Sequence, residues 1–378
     1  MYQKITFWVF IIFIFSDSYA QEPGYRISFS IEGIEDPVLY LESHYGNHCF
    51  IMDSAHVKAK KEILFSSKKK VLPDGIYSLA NKAGDIYLEF IVEHERNFSI
   101  SSTLKTLKKE RIIKNSEENV LFFEFQKARS NNQEDEINFQ QFIETSPQSL
   151  MAKYIKAQYL PIEIPSSLLK DSSDTGLYEQ YNYLIEHYFD QIDLNDERLL
   201  RTPLHVNIGK FFTEIIPQES GVIVSQVKDF ISHIQNQEVK NYYLSSLIDI
   251  LDQNNPAYGA ALVYLFDQYC PDGTCHWLEE NYARIFKKKV ERIRKLLPGS
   301  TIPPLTAYDL NHKAISTASI NHDYILLWFW DPDCDHCIEE TPKWFEFYHE
   351  FKDFYDLEVY AISVTEDEDR WKKFIEQH

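Results

Sequence analysis

From residue 25 to about residue 113, apolar and polar positions tend to alternate. Residues 25–31 (YRISFSI) show the period of two most clearly. That period sends successive side chains to opposite faces of a strand, so such runs predict half-buried β-structure. Residues 38–41, 48–52, 86–92 and 97–100 are also rich in β-branched or aromatic residues, and Gly33, Gly46, Gly75 and Gly84 punctuate them. The expectation for residues 25–113 is a small antiparallel β-sandwich.

From residue 117 to 297 the period changes to 3.6. Residues 120–125, 177–189, 206–216, 222–234, 242–251 and 258–269 each carry an apolar helical face. Pro147, Pro203 and Pro256 fall where helices would start, a position that tolerates the missing N–H. A helical domain is expected over 117–297. Residues 297–304 (LPGSTIPP) read as a linker. Beyond it lie a hairpin-like stretch (305–315) and two apolar runs, 324–330 and 357–364, separated by a helical pattern and followed by another. Apolar runs joined through a helix predict adjacent parallel strands. The fold class is therefore multidomain: a β-sandwich, an α-helical domain, and an α/β domain over 298–378.

The first twenty residues fit neither period. Lys4, the apolar core of residues 5–15 and Ser18-Tyr19-Ala20 read as a secretory signal peptide over residues 1–20, cut before Gln21. The core is too short to span a bilayer, which takes about 17–25 residues. Export to a bacterial periplasm or the cell envelope is expected, with no integral membrane segment after cleavage. The formal net charge of −20 argues against nucleic-acid partners and anionic membrane surfaces.

Export allows disulfides, and five cysteines are few enough to assign. Cys334 and Cys337 follow the apolar run and the turn Asp331-Pro-Asp333, and they open the helical pattern. Residues three apart share a helical face, and the free N–H groups of a first turn favour a thiolate. These two are the redox candidates. Cys270 and Cys275 flank a turn sequence, Pro271-Asp-Gly-Thr274, that could close a structural disulfide. Cys49 reads as a buried thiol. His44, His48, His56 and His94 do not recur at metal-ligand spacing, so no metal is expected there, and no cofactor is expected anywhere.

The segment Phe329-Trp330-Asp-Pro-Asp-Cys334-Asp-His-Cys337-Ile-Glu-Glu340-Thr-Pro342 resembles the active-site stretch of TlpA-like thiol–disulfide oxidoreductases of the thioredoxin superfamily. The earlier segments resemble the uncharacterised domains fused to such modules in exported bacterial proteins. The resemblance implies a thioredoxin-like fold over 298–378. It makes Cys334 the attacking thiol, Cys337 the resolving thiol and Glu340 the group that exchanges a proton with it. Pro342 would bend the helix and Trp330 would pack beneath the site. The implied partners are protein thiols or disulfides and an envelope electron donor or acceptor. The family commonly has Trp where this sequence has Asp333. That carboxylate would oppose the thiolate while His336, protonated, would favour it, so both are tuning residues.

A further departure is that the family's cis-Pro half has no counterpart after residue 337. The α/β domain is therefore expected to be incomplete and the sequence truncated at its C-terminus. Three alternatives stand beside the redox reading. One is a non-catalytic envelope binding module with a structural or vestigial dithiol, and another is a peroxidase-like thiol protein. The third is a zinc site drawing on Cys270, Cys275, His276, Cys334 and Cys337.

Overall fold

The computed structural model describes residues 24–58, 61–130, 139–158, 162–253, 255–365 and 367–377. The signal-peptide reading falls on residues 1–20, outside the described residues. The protein divides into two compact units, Met1–Val290 and Glu291–His378.

The first unit opens with eight strands: β1 (Tyr25–Glu32), β2 (Val38–Tyr45), β3 (His48–His56), β4 (Glu62–Ser67), β5 (Gly75–Ala80), β6 (Ile86–Val92), β7 (Asn97–Thr103) and β8 (Ile112–Lys114). They form two four-stranded sheets, ordered β4-β1-β7-β8 and β3-β2-β5-β6. Ile27, Phe29, Leu41, Tyr77, Leu79 and Phe90 belong to one shared buried cluster drawn from both sheets. Each large apolar side chain so buried contributes about 1.5–3 kcal/mol. The ladders are antiparallel except β1 with β7, which is parallel. Reaching β7 requires leaving the other sheet after β6, and a strand that enters by such a crossover can run either way.

Strand β5 is buried along its whole length, so both its faces are covered. The short helical turn Glu197–Arg201 packs on β5 and α1 (Glu117–Ser130) packs on β6, and α2 (Phe139–Thr145), α3 (Leu150–Gln158) and α4 (Asp174–Glu186) follow in the chain. The series continues with α5 (His205–Lys210), α6 (Ser220–Ser232), α7 (Gln237–Leu251), α8 (Gly259–Tyr269) and α9 (Glu280–Arg294). Polar side chains join the two layers. The Asn119 amide accepts from Ile91 N at 2.9 Å and donates to Ile91 O at 2.9 Å, so it pairs with β6 as a further strand would. The buried Glu93 carboxylate accepts from Leu150 N, 2.9 Å from each oxygen, and from Arg198 Nη1 at 2.7 Å. Burial pushes Glu93 up, against the pull of that N–H and the nearby cations.

The second unit holds the hairpin β9 (Thr306–Tyr308) and β10 (Ala314–Ser316), then β11 (Tyr324–Trp330), α10 (Asp335–Tyr355), β12 (Leu357–Ser363) and α11 (Glu368–Gln377). β11 and β12 pair in parallel, Trp330 opposite Ser363, across the α10 crossover. No helix among the described residues is long and apolar enough to cross a membrane.

Candidate functional site

The site forms where β11 ends and α10 begins. Trp330 is buried and stacks on Phe374 of α11 with ring centroids 4.5 Å apart. The backbone then turns tightly. Asp333 N donates to Asp331 Oδ1 at 2.9 Å, and Cys334 N donates to Asp331 O at 3.2 Å. Asp and Pro suit this turn because the Asp carboxylate bonds its own backbone two residues on.

Cys334 is the N-cap of α10, in extended conformation, and its Sγ accepts from Cys337 N at 3.2 Å. The sulfur therefore sits where a helix most favours negative charge, an effect of about 0.3–1 kcal/mol. Cys337 Sγ lies 2.7 Å from Cys334 Sγ, and both are free, half-buried thiols. The Cys337 thiol is pushed up, chiefly because it shares its proton with Cys334 Sγ.

The flanking side chains are distributed as follows. Asp333 pairs with Arg370 of α11, which also reaches Asp367 at 3.1 Å. His336 is exposed on the first turn. Glu340 pairs with Lys343 at 2.6 Å, and that ammonium holds its carboxyl below the usual range. Pro342 lies within α10, and Thr341 Oγ1 donates to Cys337 O at 2.6 Å. A cavity of about 700 Å³ opens in this unit, lined by Trp328, Trp330, Thr341, Phe345 and Phe374 among others. Trp328 Nε1 and Ser363 Oγ are buried there or nearby without a partner.

Two residues at the site escaped the sequence reading. Arg370 and Phe374 belong to a helix more than thirty residues after the dithiol, and nothing in the local pattern ties them to it.

The other cysteines differ from one another. Cys270 and Cys275 are bridged, with Cα atoms 4.2 Å apart, so in this state they are not free to ligate zinc. Cys49 corrects an expectation, because it is exposed. It lies on β3, the last strand of its sheet, where alternation no longer guarantees a covered face. Among the described residues, the Glu93–His94–Glu118 group has donor atoms close enough to hold a metal. Glu118 is already used: its carboxylate accepts from His94 Nδ1 at 2.7 Å and from His94 N at 3.1 Å.

Residues 298–378 match the model of the AhpC/TSA family. No curated protein matches the sequence. Two solved structures are similar to parts of it. One is the thioredoxin domain of a thiol-disulfide oxidoreductase from Bacteroides vulgatus, 35% identical over 21% of this chain, with a TM-score of 0.20. The match spans 56% of that structure's length. The other is a thioredoxin-like protein from Bacteroides caccae, 18% identical, covering 57% of this chain and 76% of its own, with a TM-score of 0.30.

Proposed function

We propose that the protein is a thiol–disulfide oxidoreductase of the periplasm or cell envelope that exchanges disulfides with protein partners through Cys334 and Cys337. The observation that carries this reading is the 2.7 Å approach of two free sulfurs at a helix N-terminus. In the reducing direction, the Cys334 thiolate attacks one sulfur of a partner disulfide. The partner S–S bond breaks, and the released sulfur leaves as a thiolate that takes up a proton. Cys337 then loses its proton and attacks Cys334 Sγ. The mixed disulfide breaks, the second partner thiol is released, and the enzyme disulfide forms. The partner gains two electrons, and an envelope donor must restore the dithiol.

In this reading Cys337 keeps its proton until the second step, in line with its raised pKa. Glu340 is an available acceptor on the same helical face, although Lys343 weakens it as a base. Asp333 and His336 tune the thiolate, Trp330 supports the turn, and Pro342 breaks one backbone bond of α10. The compartment rests on the leader-like residues 1–20, and the three-part organisation (25–113, 117–297, 298–378) on the change of hydrophobic period and the linker.

Reduction of insulin disulfides by the purified protein, supplied with dithiothreitol, is the test. Turnover above the uncatalysed rate that disappears in Cys334→Ser is expected. Equal turnover by the Cys334→Ser protein sinks the proposal.

A further inference from the structure

A second arrangement of thiol, imidazole and carboxylate lies in the first unit. Cys49 on β3 and His44 on β2 are directly opposed in the antiparallel ladder. Cys49 Sγ lies 3.6 Å from His44 Nδ1, and His44 Nε2 lies 3.7 Å from Glu89 Oε1 on β6. Glu89 is held in turn, since its Oε2 accepts from Gln126 Nε2 at 3.2 Å. The imidazole side chain is only 11% exposed and its Nε2 is buried without a hydrogen bond, whereas Cys49 is exposed.

The hairpin that carries the pair is pinned. Gly46 N donates to Leu200 O at 2.7 Å, Asn47 N to Tyr242 Oη at 3.0 Å, and Tyr45 Oη to Glu238 Oε1 at 3.0 Å. Gly46 has φ of 65°, and a Cβ there would overlap the Tyr242 ring. Helices on one side and the sheet on the other thus fix the His44–Cys49 spacing before any ligand arrives.

His44 can carry its ring proton on Nε2, the nitrogen beside the Glu89 carboxylate. Nδ1 is then a lone pair facing the thiol. We propose that Cys49, His44 and Glu89 form a second thiol-exchange site, in which His44 draws the proton from Cys49 as its sulfur attacks a small cationic disulfide. The Cys49 S–H proton passes to Nδ1, the Cys49–S bond to the ligand forms, and the ligand S–S bond breaks. The leaving sulfur takes the proton back from the imidazolium, so one disulfide and one thiol become a mixed disulfide and one thiol. Partial desolvation, and after it the Glu42 and Glu89 carboxylates, push the Cys49 thiol up and so favour the thiol at rest. A base is therefore needed, and the same two charges favour a cationic ligand over an anionic one. This inference does not depend on the roles given to Cys334 and Cys337.

The test uses the full-length protein with Cys334→Ser and Cys337→Ser in place, and cystamine as the probe. Mass spectrometry follows the cysteamine adduct on the Cys49 peptide. Cys49 in the folded protein should react about tenfold faster at pH 7 than in the same protein unfolded in urea, and His44→Gln should remove that advantage. The rate should level off above the imidazole range, before the thiol itself ionises. A His44→Gln variant that folds and reacts at the parental rate overturns the proposal. So does a rate that climbs without a plateau to the ordinary thiol range.

Discussion

Two cysteine pairs in this protein show how placement changes the chemistry of the same two atoms. Cys270 and Cys275 are 4% and 2% exposed and already joined, across a turn in which Asp272 and Gly273 both have positive φ. The turn is packed from outside, with Trp277 Nε1 donating to Tyr269 O at 2.7 Å. That burial and bonding fit the structural role expected of the pair. Cys334 and Cys337 stand half-exposed on a first helical turn, one sulfur capping the helix. Burial covers the first pair, whereas the second stands half-exposed at a helix N-terminus, a position that favours negative charge.

The sharpest way to break this contrast is to delete single sulfurs. Cys334→Ser should abolish insulin reduction, and Cys337→Ser should instead accumulate mixed disulfides that survive non-reducing electrophoresis. If both variants behave alike, the two sulfurs do not have the separate attacking and resolving roles proposed for them.

Removing the buried bridge should have the opposite profile. The double variant Cys270→Ser/Cys275→Ser should keep its exchange activity and lose stability. Closing so short a loop restricts the unfolded state by about 2 kcal/mol. Urea unfolding of both proteins measures that difference. Lost activity with unchanged stability would reverse the assignments of the two pairs.

A third test uses protons. The Cys337 thiol is held above its ordinary range by the proton it shares with Cys334 Sγ. A raised thiol pKa means the nucleophilic form is scarce until higher pH, so iodoacetamide at pH 8 should label Cys334 several-fold faster than Cys337. In Cys334→Ala the shared bond is gone, and labelling of Cys337 should speed up at the same pH. Site-resolved mass spectrometry reads both rates, and equal labelling in the parent would contradict the proton arrangement.

The dithiol and its helix were legible in the sequence because two residues three apart, after an apolar run and an Asp-Pro-Asp turn, constrain local geometry directly. The strands 324–330 and 357–363 were legible for the same reason. Cys49 was misread because alternation marks which residues share a face but does not say whether anything covers it. On the edge strand β3, residues 48–51 are all exposed. Asn119 and Glu93 join sheet to helices in one compact unit through side chains, so hydrophobic period alone marks a change of element there and not a break in packing. Arg370 was invisible because its meeting with Asp333 is purely tertiary.

That meeting supplies the smallest expected effect. Asp333 sits immediately before the capping cysteine, and an unpaired carboxylate about 6 Å from the sulfur would disfavour the thiolate by about 0.7 kcal/mol at the dielectric of water. Pairing with Arg370 would offset this. Arg370→Gln should therefore slow Cys334 alkylation about two- to threefold at neutral pH and low salt. Arg370→Lys should restore most of the rate. The effect should shrink as salt rises, since both partners are exposed and the Debye length is about 10 Å at 0.1 M. Asp333→Asn should make the protein indifferent to the residue at 370. If Arg370→Gln slows alkylation equally in that background, the arginine acts through the packing of α11 and not through the charge beside the thiol.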